Sequence, residues 1–230
     1  MAAGGEALRV AKLDVGFNAS GAADAGARGR VVVIVDIVDS STSAEVAVSA
    51  GAAAVLGASS AGVDVPAHID PGAVGRRAAA IAKERSTDVV VVAEPRVGTD
   101  DERRRRAVSV LQALRTASVD YEIVPNQGAE LGQLVDMKGR PVVIVSTTGG
   151  TAFDAALAAG GPAACFATTA RVEGKTGWDV VGIGARRAIA LAGEHRADLS
   201  VVAATANSSD DCLAAFEIAR RVITEGFLRR

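Results

Sequence analysis

The most informative stretch of the chain is the unbroken apolar run at residues 31–35, which is followed by Asp36 and Ile37. A run without polar alternation is typical of a strand buried on both faces, and its length suits a strand better than a helix. A carboxylate at the end of such a strand is costly to bury unless another group pairs with it. Hydroxyl residues follow where the next helix should begin, namely Ser40, Ser41, Thr42 and Ser43. One of them can cap the helix while others face a ligand, so we predict that this strand end forms one wall of an active site.

The same pattern of short apolar runs and helical stretches continues along the chain. Further strands are predicted at residues 53–57, 88–93, 121–124, 141–145, 163–167 and 199–203. Helices are predicted at residues 72–85, 100–118, 152–159, 180–192 and 210–225. This alternation is typical of a layered α/β fold, with mostly parallel sheets flanked by helices. In such sheets ligands bind beyond the carboxyl ends of the strands.

The pattern also predicts how the chain is divided. Residues 1–29 are expected to form an N-terminal strand at residues 8–15 and then a flexible run, rich in Gly, Ala, Asn and Ser, at residues 16–29. Residues 30–230 are expected to form one α/β domain, and the pattern leaves open whether this domain has two sublobes. Gly62, Pro66 and Pro71 indicate a loop at residues 58–71.

Composition and charge argue against some classes of partner. Hydrophobic residues make up 49% of the chain and aromatic residues 3%, so the core must consist of small aliphatic side chains. The formal net charge of -2 lacks the basic excess that neutralises nucleic-acid phosphates, so we expect a small-molecule partner and no nucleic acid. We find no run long enough to span a membrane and no secretory signal, and therefore expect a cytoplasmic protein without a membrane partner.

Polar clusters follow three of the predicted strands, at residues 36–42, 146–151 and 205–211. In a parallel sheet all three clusters can meet in one crevice. The second cluster combines hydroxyls with a glycine-containing turn at a helix start, which suits a phosphate or a sulfonate, although an ordinary capped helix has the same sequence. Asp210 and Asp211 in the third cluster are explained equally well by favourable placement against a helix dipole.

Three carboxylates, Asp36, Asp210 and Asp211, and the neighbouring hydroxyls fit a magnesium site that binds oxyanions. The sequence has no phosphate-loop motif and no dinucleotide-binding glycine pattern. Neither histidine is placed to serve Ser41 as a catalytic triad. The arginine run at residues 103–106 is interpreted as a solvated helix face rather than an anion-binding patch.

Three blocks of residues stand in order along the chain. Residues 33–42 have the sequence V-I-V-D-I-V-D-S-S-T, residues 147–151 have T-T-G-G-T, and residues 209–215 have S-D-D-C-L-A-A. They resemble the V-V-I-D-V-L-R-A-S-T, T-T-N-G-T and L-E-D-V-L-A-A blocks of the 2-phosphosulfolactate phosphatase family, the magnesium-dependent enzymes of the coenzyme M pathway. Weaker similarities lie at residues 94–98 and 126–130.

The resemblance implies Mg²⁺-dependent hydrolysis of a small phosphorylated acid, 2-phosphosulfolactate, to sulfolactate and phosphate. The metal would be held or oriented by Asp36, Asp210 and Asp211. The catalytic residues would be Asp36, Asp210 and Glu94, with Glu94 as the candidate acid or base. The oxygens of a phosphate or sulfonate would be bound by Ser41, Thr42, Asn126, Thr147, Thr148, Gly150 and Thr151.

Three positions depart from the family pattern. The arginine of the first block is Asp39 here, the asparagine of the second block is Gly149, and the arginine just after that block is Ala152. Each change removes a donor suited to phosphate or sulfonate, and Asp39 reverses the charge. The arginines that could compensate from another direction are Arg96, Arg186 and Arg187.

These departures leave two alternatives open. One is a diverged coenzyme M pathway enzyme that acts on a sulfonated acid, for example by addition or elimination on a sulfo-acrylate, without phosphatase activity. The other is a non-catalytic binding or assembly protein. The long Ala-rich helices offer material for a subunit interface, and we expect a homo-oligomer.

Overall fold

The computed structural model describes residues 11–38 and 40–229. Its strands are β1 (Leu13–Phe17), β2 (Val31–Val35), β3 (Ala54–Ser59), β4 (Val89–Ala93), β5 (Tyr121–Pro125), β6 (Pro141–Ser146), β7 (Ala164–Phe166) and β8 (Leu199–Ala203). Its α-helices are α1 (Asn18–Ala27), α2 (Ser40–Ser49), α3 (Pro71–Arg85), α4 (Asp100–Arg106), α5 (Val108–Thr116), α6 (Gly149–Ala158), α7 (Gly177–His195) and α8 (Ser209–Thr224). Two short 3₁₀ helices span Gly128–Gln133 and Phe227–Arg229.

The strands form two four-stranded sheets in which every strand pair is parallel. The first sheet has the order β1-β8-β2-β7 and the second has the order β3-β6-β4-β5. In the first sheet, Val33 lies opposite Cys165 on one side and Val201 on the other. This arrangement confirms the predicted α/β fold of parallel sheets flanked by helices.

Burial explains why the apolar runs form the central strands. Every residue of β2, β4, β6 and β8 is buried, whereas the edge strands β1 and β5 are largely half-buried. In β2, Val32 and Ile34 belong to the cluster that includes the strands of the second sheet, while Val31 and Val33 pack with α7 and α8. A strand covered on both faces needs apolar residues at every position, as its sequence has.

The two halves of the chain repeat the same order of elements. The series β2-α2-β3-α3-β4-α4 recurs as β6-α6-β7-α7-β8-α8, with α5 and β5 inserted between the two series. The halves exchange strands, because β2 pairs with β7 and β8 whereas β6 pairs with β3 and β4. As a result, the ends of β2 and β6 and the helices that follow them meet at the junction of the two sheets.

The predicted flexible run at residues 16–29 is wrong, because it contains helix α1. The small residues of this helix serve close packing against α6, where a Cβ on Gly26 would lie 2.2 Å from the Ala156 carbonyl oxygen. The preceding strand, β1, pairs with β8 and so belongs to the first sheet. Residues 8–10 of the predicted N-terminal strand lie outside the described part of the chain.

One further prediction is wrong in detail, and one is confirmed. The single helix predicted at residues 100–118 is broken at Ala107 into α4 and α5. The loop predicted at residues 58–71 is present and spans residues 60–70, because β3 continues to Ser59 and α3 begins at Pro71. Within residues 11–38 and 40–229, we find no helix with both the length and the apolar character needed to cross a membrane.

Candidate functional site

Asp36 connects the end of the first sheet to the start of α6. Its side chain directly follows β2 and is 3% exposed. Its Oδ2 accepts hydrogen bonds from Thr148 Oγ1 and from the Gly149 N–H, both at 2.8 Å. The carboxylate therefore stabilises the N-terminus of α6, where negative charge is favoured. This contact brings together the first two predicted polar clusters.

The hydroxyls of the first cluster mainly hold the β2–α2 connection in shape. Ser41 is fully buried, and its Oγ accepts the Asp36 N–H at 2.7 Å and donates to the Ile34 carbonyl at 3.2 Å. Thr42 Oγ1 donates to the Ile37 carbonyl at 2.9 Å. Both hydroxyls are thus engaged inside the protein, close to the place where the sequence predicts ligand contacts.

The second cluster presents both buried and accessible groups. Ser146 Oγ accepts the Gly150 N–H and shares a hydrogen bond with Ser40 Oγ, both at 2.7 Å. Thr151 is 1% exposed and donates to the Ser146 carbonyl at 3.1 Å. By contrast, Thr147 is exposed and Thr148 is half-buried. Of the predicted oxyanion ligands in this cluster, these last two threonines are the ones that a ligand can reach.

Glu94 reaches the same strand ends from β4, which it follows directly. Its Oε2 accepts hydrogen bonds from the Thr147 N–H at 3.3 Å and from Thr147 Oγ1 at 3.4 Å. Arg106 Nη1 lies 3.5 Å from the same oxygen. Glu94 and Asp36 therefore contact neighbouring residues of one turn, Thr147 and Thr148.

Arg96 supplies a cation beside the first cluster. Its Nη2 donates to the Val38 carbonyl at 2.8 Å, and its Nε donates to the Asn126 carbonyl at 3.1 Å. The Asn126 side chain is 1% exposed, and its Oδ1 accepts a hydrogen bond from the Ser43 hydroxyl. Asn126 thus holds α2 and Arg96 together at the edge of the site.

The third cluster adds one buried carboxylate. Asp211 Oδ1 accepts the Ile37 N–H at 2.9 Å. Burial raises the pKa of Asp211, the Ile37 hydrogen bond lowers it, and the negative charge of Asp36 raises it again, with an overall upward shift. Asp210 is exposed on the first turn of α8. Two buried acids from different strand ends are therefore close enough for their charges to repel.

The donor set around these acids suits magnesium. In the described ranges, no group of three or more His, Cys, Asp or Glu side chains is arranged to hold a metal ion. However, Mg²⁺ usually binds through one or two carboxylates and completes its shell with water and substrate oxygens. Asp36 and Asp211 provide two carboxylates whose mutual repulsion a cation would relieve, and the side chains that hydrogen-bond to them carry hydroxyls. These residues fit the ion.

The other predicted arginines lie elsewhere. Arg187 Nη2 pairs with Glu45 Oε2 at 2.7 Å, and Arg187 Nη1 donates to the Phe166 carbonyl. Arg186 pairs with Glu225 at 3.2 Å. The interpretation of residues 103–106 as a solvated face is wrong for Arg103, which is 6% exposed and donates to carbonyls of the loop after β4.

Gly149 lies so close to Asp36 that it leaves no space for a side chain. A Cβ at this position would lie 2.5 Å from Asp36 Oδ2 and 2.8 Å from Ser40 Oγ. An asparagine, as in the family, would therefore force Asp36 out of its present position. Ala152 is fully buried, so its position faces the core. Asp39 lies outside the described residues.

The sequence pattern missed one buried acid near the site, Asp154 in α6. Its side chain is 1% exposed, and its oxygens accept the Ser59 N–H at 3.1 Å and the Asp70 N–H at 2.8 Å. Burial raises the pKa of Asp154 to about 6. In the sequence, Asp154 is a single acid in an otherwise apolar stretch of helix. Burying such a carboxylate is costly without partners, and this signal could have identified it.

The fold and the site together define a class: a layered α/β protein with a candidate anion-binding site where strand ends of two parallel sheets meet. No protein-family model matches the chain, and a search of the curated proteins found no match either.

Proposed function

We propose that the protein is a magnesium-dependent hydrolase of a small phosphorylated acid, with 2-phosphosulfolactate as the substrate that the sequence resemblance implies. The observation that supports the proposal is the position of Arg96 beside the first polar cluster, residues 36–42. Its guanidinium donates to the Val38 carbonyl, next to the position where the family has an arginine. A cation is thus supplied to this part of the site although the family arginine is absent.

In this proposal, different residues bind the substrate, accept a proton and hold the metal ion. Arg96 binds oxygens of the phosphoryl or acid group, because a charged donor suits these acceptors. The hydroxyls of Thr147 and Thr148, which donate to Glu94 and Asp36 in the free protein, turn to the same oxygens when the substrate binds. Glu94, ion-paired with Arg106, is the carboxylate that accepts a proton from the attacking water. Asp36 and Asp211 would hold the Mg²⁺ ion, which when bound stabilises charge on the phosphoryl oxygens.

The first experiment is an assay of phosphate release from 2-phosphosulfolactate by the full chain, with Mg²⁺ and with a chelator. We expect release only with Mg²⁺, and we expect Asp36→Asn to reduce turnover at least about a hundredfold, since charge stabilisation is usually a large part of catalysis. Asp24→Asn, in a surface ion pair with Arg28, is the matched control and should keep full activity. Equal turnover of the Asp36→Asn variant would contradict the assigned role.

One observation favours a second candidate. Asp36 Oδ2 already accepts the Gly149 N–H, which is the kind of donor that a substrate oxyanion would use. A carboxylate in that position favours a diverged protein without phosphatase chemistry, either an enzyme acting on a sulfonated acid or a non-catalytic binding or assembly protein. If the folded protein with Mg²⁺ releases no phosphate, calorimetry with sulfolactate separates these two, because the binding or assembly protein need not bind the sulfonate. The cytoplasmic location and the homo-oligomeric state stay predictions.

A further inference from the structure

Asp154 joins the two ends of the loop at residues 60–70. Its Oδ2 accepts the N–H of Ser59, the last residue of β3, at 3.1 Å. Its Oδ1 accepts the N–H of Asp70, the N-cap residue of α3, at 2.8 Å. A carboxylate has only acceptors to offer, so it suits a position between two backbone donors. One side chain of α6 thus contacts both ends of the loop.

The loop forms one wall of a cavity of about 280 Å³. Val65 and Pro66 line this cavity on the loop side. Four threonines also line it: Thr147, Thr148, Thr151 and Thr205. The volume equals that of about nine water molecules in the liquid, which is enough for a small acid. The lining therefore combines apolar side chains of the loop with threonines near the candidate site, of which Thr147 and Thr148 are accessible.

The cavity opens beside the candidate site. Thr148, one of the lining residues, donates its hydroxyl to Asp36 at 2.8 Å. Thr147, which also lines the cavity, donates its N–H and hydroxyl to Glu94. A molecule in the cavity therefore touches the same threonines that contact the two proposed catalytic carboxylates.

We propose that Asp154 is a positioning residue that holds the loop in place, so that Val65 and Pro66 form the specificity wall for the carbon skeleton of the small acid. This inference rests on the proposed function. The acid groups of the substrate face the accessible Thr147 and Thr148, while the apolar carbons face Val65 and Pro66. Asp154 touches neither the substrate nor the reacting atoms, and it acts through the loop.

Removal of the Asp154 carboxylate leaves two backbone donors without an acceptor. In the Asp154→Ala variant, the Ser59 and Asp70 N–H groups must find water, which requires the loop to move. Hydrogen bonds to a charged group are strong, so we expect amide exchange at the Asp70 N–H and in the loop to increase roughly ten- to a hundredfold. We also expect KM to rise about tenfold while kcat changes less than about twofold, because the wall contributes to binding rather than to the chemical step.

The matched control is Asp179→Ala. Asp179 Oδ2 also accepts two hydrogen bonds, from the Thr176 N–H and hydroxyl, at the start of α7. This variant should increase exchange at Thr176 and leave the loop and KM unchanged. Asp154→Asn is the second variant if the alanine variant fails to fold. An amide keeps one acceptor, so its effects should lie between those of wild type and Asp154→Ala.

The outcomes separate this inference from the proposed function. Unchanged loop exchange in a folded Asp154 variant overturns the inference, as does faster exchange with unchanged KM. If wild type releases no phosphate, the proposed function fails, and the inference is then decided by loop exchange together with calorimetric affinity for sulfolactate. Faster loop exchange with weaker sulfolactate binding in the variant supports the inference, whereas equal binding, or no binding by wild type, overturns it.

Discussion

At the scale of single residues, two buried carboxylates at corresponding positions have different kinds of hydrogen-bond partner. Glu45 in α2 and Asp154 in α6 occupy corresponding positions of the repeated series, six residues before Gly51 and Gly160, which both have positive φ. Glu45 pairs with Arg187, whereas Asp154 accepts two backbone N–H groups. Burial makes a carboxylate costly to ionise, and this is the largest cause of the raised pKa of Asp154.

Because the pKa of Asp154 is raised, we expect the free energy of unfolding to depend on pH. Its pKa is about 6 in the folded protein against an ordinary value of 3.8. Between these values the folded state binds the proton more strongly than the unfolded state, so this group favours folding below about pH 4 and loses that contribution as the pH rises through 6. We expect the free energy of unfolding of wild type, relative to Asp154→Asn, to fall by about 2 to 3 kcal/mol from pH 4 to pH 7. Urea unfolding at several pH values measures this difference.

Asp179→Asn is the control for the sign of this effect. Hydrogen bonds from the Thr176 side chain and backbone lower the pKa of Asp179. Its contribution to stability is therefore present at neutral pH and is lost as the pH falls through its folded-state pKa, the opposite direction to Asp154. A wild-type advantage over Asp154→Asn that grows with pH would contradict the assignment.

At the scale of elements, the connection between β4 and α4 depends on Arg103. Its Nε donates to the Pro95 carbonyl at 3.1 Å, and its Nη2 donates to the Gly98 carbonyl at 3.0 Å and the Arg96 carbonyl at 3.3 Å. Helix α4 thus holds the loop that carries Glu94 and Arg96. An arginine run is usually solvated, but the first arginine of this run is a structural residue.

We expect Arg103→Met to lower the free energy of unfolding by about 2 to 4 kcal/mol, because it leaves several carbonyls without their charged donor. Methionine keeps much of the apolar stem, so the loss reports mainly on the hydrogen bonds. The control Arg104→Met, at an exposed position of the same helix, should change stability by less than about 0.5 kcal/mol. Urea unfolding measures both variants, and equal effects would show that Arg103 does not hold the loop.

At the scale of the whole molecule, an aromatic pair joins the two sheets. The rings of Phe153 in α6 and Phe166 in β7 stack with centroids 5.1 Å apart. Both pack on Gly57 of β3, where a Cβ would lie 2.6 Å from Phe153 Cβ and 2.7 Å from Phe166 Cζ. The absence of a side chain at Gly57 therefore allows an edge strand of one sheet to contact an edge strand of the other.

We expect Phe153→Ala to lower the free energy of unfolding by about 3 to 5 kcal/mol, because it leaves a cavity between the sheets. Since one apolar cluster contains strands of both sheets, wild type should unfold in a single transition. The fluorescence of Trp178, the single tryptophan, and far-UV circular dichroism should report the same midpoint. Phe216→Ala, at a ring 54% exposed, should cost less than about 1 kcal/mol. Two separate midpoints in wild type would contradict a shared core.

The alternation of apolar runs and helices was sufficient to predict the fold class and most elements. The reason is local, because a strand buried on both faces must be apolar at every position, as in β2 and β6. The polar residues at the strand ends were also visible in the sequence, and the structure brings Asp36 against Thr148 and Gly149. By contrast, the small residues of α1 resembled a flexible segment, because close helix packing uses the same residue types as a loop.

Only the tertiary structure decided which strands share a sheet, because pairing between distant segments depends on long-range contacts that have no local pattern. The exchange of strands between the two halves places β2 beside β7 and β8, and this exchange creates the junction where the candidate site lies. The tertiary structure also decided which groups the charged side chains contact. Arg103 binds loop carbonyls, Asp154 binds the two ends of a loop, and Arg96 lies beside the site because of the positions of segments far apart in the sequence.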